Sequence, residues 1–346
     1  MSKERDPTRI EILEPLRGLA ALAVAWYHLT SRGTLLPQDS WIRASGAFGW
    51  LGVEVFFVIS GFIIPYSLLR GHYFIRKDFG RFLAKRIIRL DPPYLITICI
   101  LLVVASFITL APGPEGESPE ISVPQVLCHL GYLNAFLGYE WLSPVFWTLA
   151  IECQYYILVA IAFPLFASTK PLPRLASLAL LTVSGVVLDQ GQFVFRYGGL
   201  FSLGILTFQK HLGFWSARQY LALLIPIAMF TILTLGLLNG LAGMVTALII
   251  AFVKVKQYRL LAFIGSMSYS LYLMHWPVGI LITRIGSQFA DTLPLQIAVL
   301  ATALTASFVA AYIMYRLVER PAQRWSSSIR YTDQVVTPVP PPRGTP

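Results

Sequence analysis

Apolar residues along this chain gather into blocks rather than alternating with polar ones. The blocks run roughly 17 to 25 residues, the length a helix needs to cross about 30 Å of hydrocarbon. Charge, or clusters of Gly and Pro, separates them. Read this way, the pattern predicts spans near 16–32, 49–69, 93–111, 144–166, 175–190, 192–208, 219–238, 240–253, 260–283 and 294–318. The expected fold is all-α, a polytopic membrane helix bundle of about ten transmembrane helices, since helices satisfy their own backbone groups in lipid.

Lys and Arg fix the orientation, because they resist transfer and collect in cytoplasmic loops. With the N-terminus inside, every inside loop is basic: Lys3, Arg5 and Arg9 precede the first span, a run from Arg70 to Arg89 follows the second, and Arg320, Arg324 and Arg330 follow the last. Outside loops hold only Arg32, Arg43 and Arg284, and the largest, about 112–143, carries Glu115, Glu117, Glu120 and Glu140 without Lys or Arg. An even number of spans then places both termini in the cytoplasm.

Composition removes the soluble alternative: 56% of residues are hydrophobic and 13% charged, against about 25% charged in a soluble globular chain. The net charge of +10 follows from the cytoplasmic bias and from attraction to anionic lipid headgroups, so membrane lipid is an expected partner and nucleic acid is not. Cys99, Cys128 and Cys153 are odd in number and lack CxxC spacing, which argues against a disulfide framework or a zinc site. An Ala-x-Ala at Ala23 to Ala25 resembles a cleavage site, but the apolar run continues past it, so the segment reads as a retained helix. Residues 1–325 are expected to form the membrane domain, and 326–346, Pro-rich at their end, a disordered cytoplasmic tail.

Ionisable groups at membrane depth are costly and mark function by default. His28, Glu54, Glu152 and His275 stand out, all in the outer half of the bilayer: roughly 18 and 22 Å from the inner face for the histidines, roughly 8 and 12 Å below the outer face for the glutamates. Two readings are open, a proton-transfer site or interhelical hydrogen bonds that hold the bundle. For His28 the functional reading is favoured, for Glu54 the structural one. Neither a His-x-x-x-His pair nor a third close ligand occurs, so no metal site is expected. Lys85, Arg86 and Arg89, ahead of Asp91, Pro92, Pro93 and Tyr94, also have two readings: inside-loop charge alone, or a guanidinium face suited to the phosphates of a nucleotide-like carrier.

The segments holding these residues resemble the acyltransferase 3 family, multipass enzymes that O-acylate sugars and other exported hydroxyl compounds. The matching pieces are Arg17-Gly18-Leu19-Ala20 with His28; Phe56 to Phe62, reading FFVISGF; Lys85 to Arg89 leading to Pro92 and Tyr94; Phe146-Trp147-Thr148-Leu149 with Glu152, Tyr155 and Tyr156; Ser268 to Pro277; and Glu319-Arg320-Pro321. Asp91 departs from the family's usual aromatic or aliphatic residue, Glu14 from its more frequent Asp and Thr148 from a common Ser. The residues after the last expected span are few, so the soluble hydrolase-like domain that some members carry is not expected among them.

The resemblance implies an O-acyltransferase of the plasma membrane, the bacterial inner membrane being the expected one. It would move an acyl group, an acetyl in the first instance, from cytoplasmic acyl-CoA to a carbohydrate or lipid-linked acceptor, with no permanently bound cofactor. Lys85, Arg86, Arg89 and Arg17 would hold the donor. His28 would act as general base with Glu152 orienting it, and Tyr272, His275 or a backbone N–H would stabilise the oxyanion. An acyl intermediate on His28 or Ser60 stays open, although Ser60 reads more simply as a small packing residue. The competing class is a proton-coupled transporter of a small organic acid that uses the buried His and Glu residues as a relay; no duplicated halves are visible to support it. A purely structural membrane protein leaves the buried ionisable residues unexplained.

Overall fold

The computed structural model of the chain describes residues 10–33, 35–110, 121–188, 190–254 and 259–332. Among them the regular structure is helical: α1 (Leu13–Thr30), α2 (Trp41–Ser45), α3 (Gly52–Arg70), α4 (Ile75–Leu110), α5 (Val123–His129), α6 (Phe146–Phe166), α7 (Pro171–Val187), α8 (Gly198–His211), α9 (Ala217–Leu235), α10 (Leu237–Phe252), α11 (Arg259–Ser266), α12 (Ser268–Met274), α13 (Ile280–Gly286), α14 (Leu293–Met314) and α15 (Arg320–Ser328). Five stretches, Trp41–Arg70, Ile75–Ser106, Phe146–Phe166, Ala217–Leu235 and Leu293–Ser328, are long and apolar enough to cross a membrane; α7 and α10 are shorter apolar helices. The chain is a multi-pass membrane protein, an all-α bundle.

Several expected spans take a different form. The third, expected to open at residue 93, is the second half of one helix that starts at Ile75 and runs through Pro92 and Pro93 without a break. The missing proline N–H groups leave the carbonyls of Ile88 and Arg89 without their helical donors, a cost that membrane helices tolerate inside a packed bundle. Just beyond, Tyr269 donates to the Leu90 carbonyl at 2.8 Å and Thr97 back to that of Pro93 at 2.8 Å. The span expected over 260–283 is divided into α11, α12, a π-turn at His275–Gly279, and α13.

Core packing centres on α8, which is buried from Gly198 to Gln209. It crosses α3 backbone to backbone at Gly61 and Gly204. A Cβ built on Gly204 would lie 2.2 Å from the Val58 carbonyl oxygen, and one on Gly61 would lie 2.4 Å from that of Phe201. Main chain cannot yield as a side chain can. Gly204→Val should therefore lower the thermal unfolding midpoint of the detergent-solubilised protein, with a cost of at least about 1–3 kcal/mol; an unchanged midpoint would mean that the crossing is loose.

Two segments read as loop and tail are packed. Between α4 and α6, the buried His129 donates from Nδ1 to the Gln125 carbonyl at 2.8 Å and accepts at Nε2 from the Leu142 N–H at 3.2 Å. Burial pushes this imidazole below its ordinary range. Tyr132 follows in the left-handed region (φ 58°), with its hydroxyl on Asp91 Oδ1 at 2.9 Å and its ring stacked on Tyr94. Of the segment expected to be disordered, 333–346 lie outside the described residues. Its first residues pack on α4: Ser326 donates to the Lys85 carbonyl at 2.8 Å, and Tyr331 is buried beneath the Lys85 ammonium, 4.8 Å from its ring centre.

Candidate functional site

On α3, Val53, Phe56, Phe57, Ser60, Ile63, Ile64 and Ser67 recur at helical spacing and line one wall of a cavity of about 280 Å³. The stripe from Val53 to Ser67 rises about 21 Å along the helix axis, so the cavity is long. Its other walls come from α1 (Arg17), α4 (Arg86, Arg89), α6 (Thr148, Glu152, Tyr156) and α12 (Ser268, Tyr269, Tyr272).

Three guanidinium groups face this space. Arg86 donates to Ser67 Oγ at 2.9 Å and lies over the Tyr156 ring at 5.3 Å. Among the described residues, Arg17 and Arg89 have no hydrogen-bond or ion-pair partner, so their donors are open to whatever occupies the cavity. Lys85, expected beside them, is turned away: its ammonium donates to the Ile329 carbonyl at 2.9 Å.

Glu152 is in the cavity but not on His28. Its Oε1 accepts from Ser60 at 3.0 Å and from Tyr156 at 2.6 Å. Ser60, read from the sequence as a packing residue, thus presents its hydroxyl to the cavity, while its neighbour Gly61 does the packing. Asp91, where the chain departs from the family's usual residue, does not line this cavity; its Oδ1 accepts from the Tyr132 hydroxyl. Glu54 is buried with Oε2 unpartnered among the described residues and also does not line the cavity.

At the Val53 end the Tyr272 hydroxyl meets Thr148 Oγ1 at 2.6 Å. Behind it, with ring centres 6.0 Å apart, lies His275. His275 Nδ1 is 3.0 Å from the Leu271 carbonyl, and its Nε2 is 3.1 Å from His28 Nδ1. A carbonyl can only accept, so the neutral pair has one consistent assignment: His275 carries its proton on Nδ1, its Nε2 accepts from His28 Nδ1–H, and His28 Nε2 keeps a free lone pair. Tyr27 and Trp276 flank the His28 ring, with centres 5.1 and 5.2 Å away. His28 and Arg17 share α1 at a spacing close to three turns.

The structure thus brings together Arg17, Arg86, Arg89, Glu152 and Tyr272 around one cavity, and His28 with His275 behind its far end. Thr148, Tyr156 and Ser67 complete it; the spacing of Thr148, Glu152 and Tyr156 at i, i+4, i+8 on the mostly apolar α6 is a signal that could have found two of them. Among the described residues, no three His, Cys, Asp or Glu side chains gather as a metal ion would need.

The sequence model of a family described as an acyltransferase domain matches residues 10–316. The chain is similar to the O-acetyltransferase OatA of Staphylococcus aureus (strain NCTC 8325 / PS 47), 28% identical over 376 residues, which cover 94% of this chain and 59% of that protein. It is also similar to ORF330 of Acidianus two-tailed virus, provisionally named an acetyltransferase, 25% identical over 327 residues, 86% of this chain and 92% of that one. The chain thus spans 59% of the length of the staphylococcal relative. No solved structure matches it.

Proposed function

The chain belongs to the acyltransferase 3 family, and from that premise we propose that it moves an acyl group from acyl-CoA to a hydroxyl of an exported carbohydrate or lipid-linked acceptor. One observation carries the reading: three guanidinium groups line a long cavity, and a histidine with an open nitrogen stands behind the end closed by Tyr272.

Arg17, Arg86 and Arg89 hold the donor phosphates through charge-assisted bonds. The pantetheine arm runs along the α3 stripe towards Tyr272. His28 Nε2 takes the proton of the acceptor hydroxyl as its oxygen attacks the thioester carbonyl; the C–S bond breaks, and the proton passes to the leaving thiolate. Tyr272, whose single proton otherwise rests on Thr148 Oγ1, turns it to the oxyanion. His275 accepts from His28 Nδ1–H and steadies the imidazolium, the role first expected of Glu152. Glu152 belongs to the donor cavity, where it fixes Ser60 and Tyr156 and offsets one of three positive charges.

The acetyl group in the relative's name makes acetyl-CoA the donor to try first. Purified protein incubated with it should release free thiol faster when an acceptor hydroxyl is supplied; no release with any acyl-CoA would overturn the reading. About ten spans with both termini in the cytoplasm fit the basic loops. A reporter that is active only in the cytoplasm should therefore be active when fused after residue 330, and one active only outside should be silent there.

A further inference from the structure

We propose that Glu319 is a positioning residue, whose carboxylate aims the turn carrying Tyr272 and His275. The carboxylate is 3% exposed, and Oε2 accepts from both the backbone N–H of Ser270, at 3.1 Å, and its hydroxyl, at 2.5 Å. Oε1 accepts from Gln323 at 2.8 Å. The two bonds from Ser270 tie α12 to the start of α15, and the Gln323 bond, made within α15 itself, holds the carboxylate in place.

α12 needs such a partner. Its N-cap, Met267, offers no side-chain cap, and the first N–H groups of a helix have no partner within it. Glu319 supplies an acceptor from another element and places a negative charge at the helix N-terminus, where the backbone dipole favours it. The local geometry delivers it there. α14 ends in a π-turn, Tyr315–Glu319, and the extra residue of such a turn rotates the next helical segment by about 100°. A second π-turn begins at His275. Glu319 therefore holds the start of a short helix whose other end carries the cavity-closing tyrosine and the imidazole on which His28 Nδ1 rests. α15 is itself braced on α4 by Ser326, beside Arg86 and Arg89, so the same link keeps the two ends of the cavity in register.

The effect on rate rests on the acyl-transfer reading; the effect on α12 does not. The test compares the wild type with Glu319→Gln, Ser270→Ala and Ser270→Thr, by steady-state kinetics and by hydrogen exchange over residues 268–275. Arg17 and Arg89 feel the charge of Glu319 directly, so Ser270→Ala, which retains that charge, isolates the positioning effect. Ser270→Ala should lower kcat roughly 10- to 100-fold with donor KM unchanged, and exchange over 268–275 should quicken. Ser270→Thr should restore both. Glu319→Gln should lower kcat without compounding the loss when combined with Ser270→Ala. Unchanged kcat and unchanged exchange in both Ser270→Ala and Glu319→Gln would overturn the proposal, as would a fall in kcat matched by an equal rise in donor KM in Ser270→Ala. If the wild type itself releases no thiol, the acyl-transfer reading fails, and hydrogen exchange alone decides the role of Glu319.

Discussion

His28→Ala should lower kcat by roughly 100- to 10,000-fold and leave donor KM unchanged. The size follows from the proposed role, in which the lone pair of Nε2 accepts the hydroxyl proton, while His275 has its own Nε2 occupied by His28 and its Nδ1 by a carbonyl. Donor binding should survive because His28 does not line the arginine cavity. His28→Gln is the sharper variant. Glutamine can donate to His275 and keep the interhelical bond, but it cannot take a proton, so activity should stay at the alanine level although the protein folds. A folded His28→Gln protein of near wild-type rate would make the residue structural and move the search to His275.

The second large effect concerns the donor. Arg17→Ala and Arg89→Ala should each remove a charge-assisted bond worth roughly 1.5–3 kcal/mol, raising donor KM by about 10- to 150-fold. Neither guanidinium makes a hydrogen bond or close ion pair among the described residues, but both lie near the Glu319 carboxylate, so the alanine variants lose that longer-range attraction as well. Arg86→Ala should act in the same direction but also loosen the fold, since that side chain holds Ser67 and lies on Tyr156. Lysine should restore Arg17 or Arg89 only in part, because an ammonium cannot present a planar fork. Lys85→Ala serves as the control: its bonds go to Ile329, and donor KM should hold. Equal effects from Lys85 and Arg89 would reduce the arginines to general surface charge.

Much of this was legible in the sequence because the membrane makes polar residues conspicuous. His28, His275, Glu152 and the arginines stood out against apolar runs, and the family resemblance tied them to one chemistry. What sequence could not fix was azimuth and register. Lys85 and Arg86 are neighbours in a charge run, yet about 100° of helical rotation sends one to the C-terminal segment and the other into the cavity. Glu152 and His28 were placed at similar depths, but depth does not say which helices touch, and Glu152 meets Ser60. Serine beside glycine reads as packing, and at Gly61 that is correct; one position earlier the same small-residue pair turns a hydroxyl inward. The span expected to open at Pro93 is instead the continuation of a helix that starts at Ile75, because the contacts that hold α4 together through the proline pair, such as Tyr269 on the Leu90 carbonyl, are tertiary and leave no mark in sequence.

Arg17 and His28 sit on a single continuous helix, and this makes α1 a ruler. Eleven residues of helix rise about 16 Å and return within about 20° of the starting azimuth, so an anion at one end and a reacting carbonyl at the other are measured against the same rigid rod. Loop motion or side-chain adjustment elsewhere cannot change that interval. On the proposed acyl-transfer reading, with Arg17 at the donor phosphates and His28 at the acceptor hydroxyl, the donor would be selected by the length of the arm between phosphate and acyl group, before the acyl group is read at all. A carrier with a clipped arm would satisfy either end of the rod, and never both.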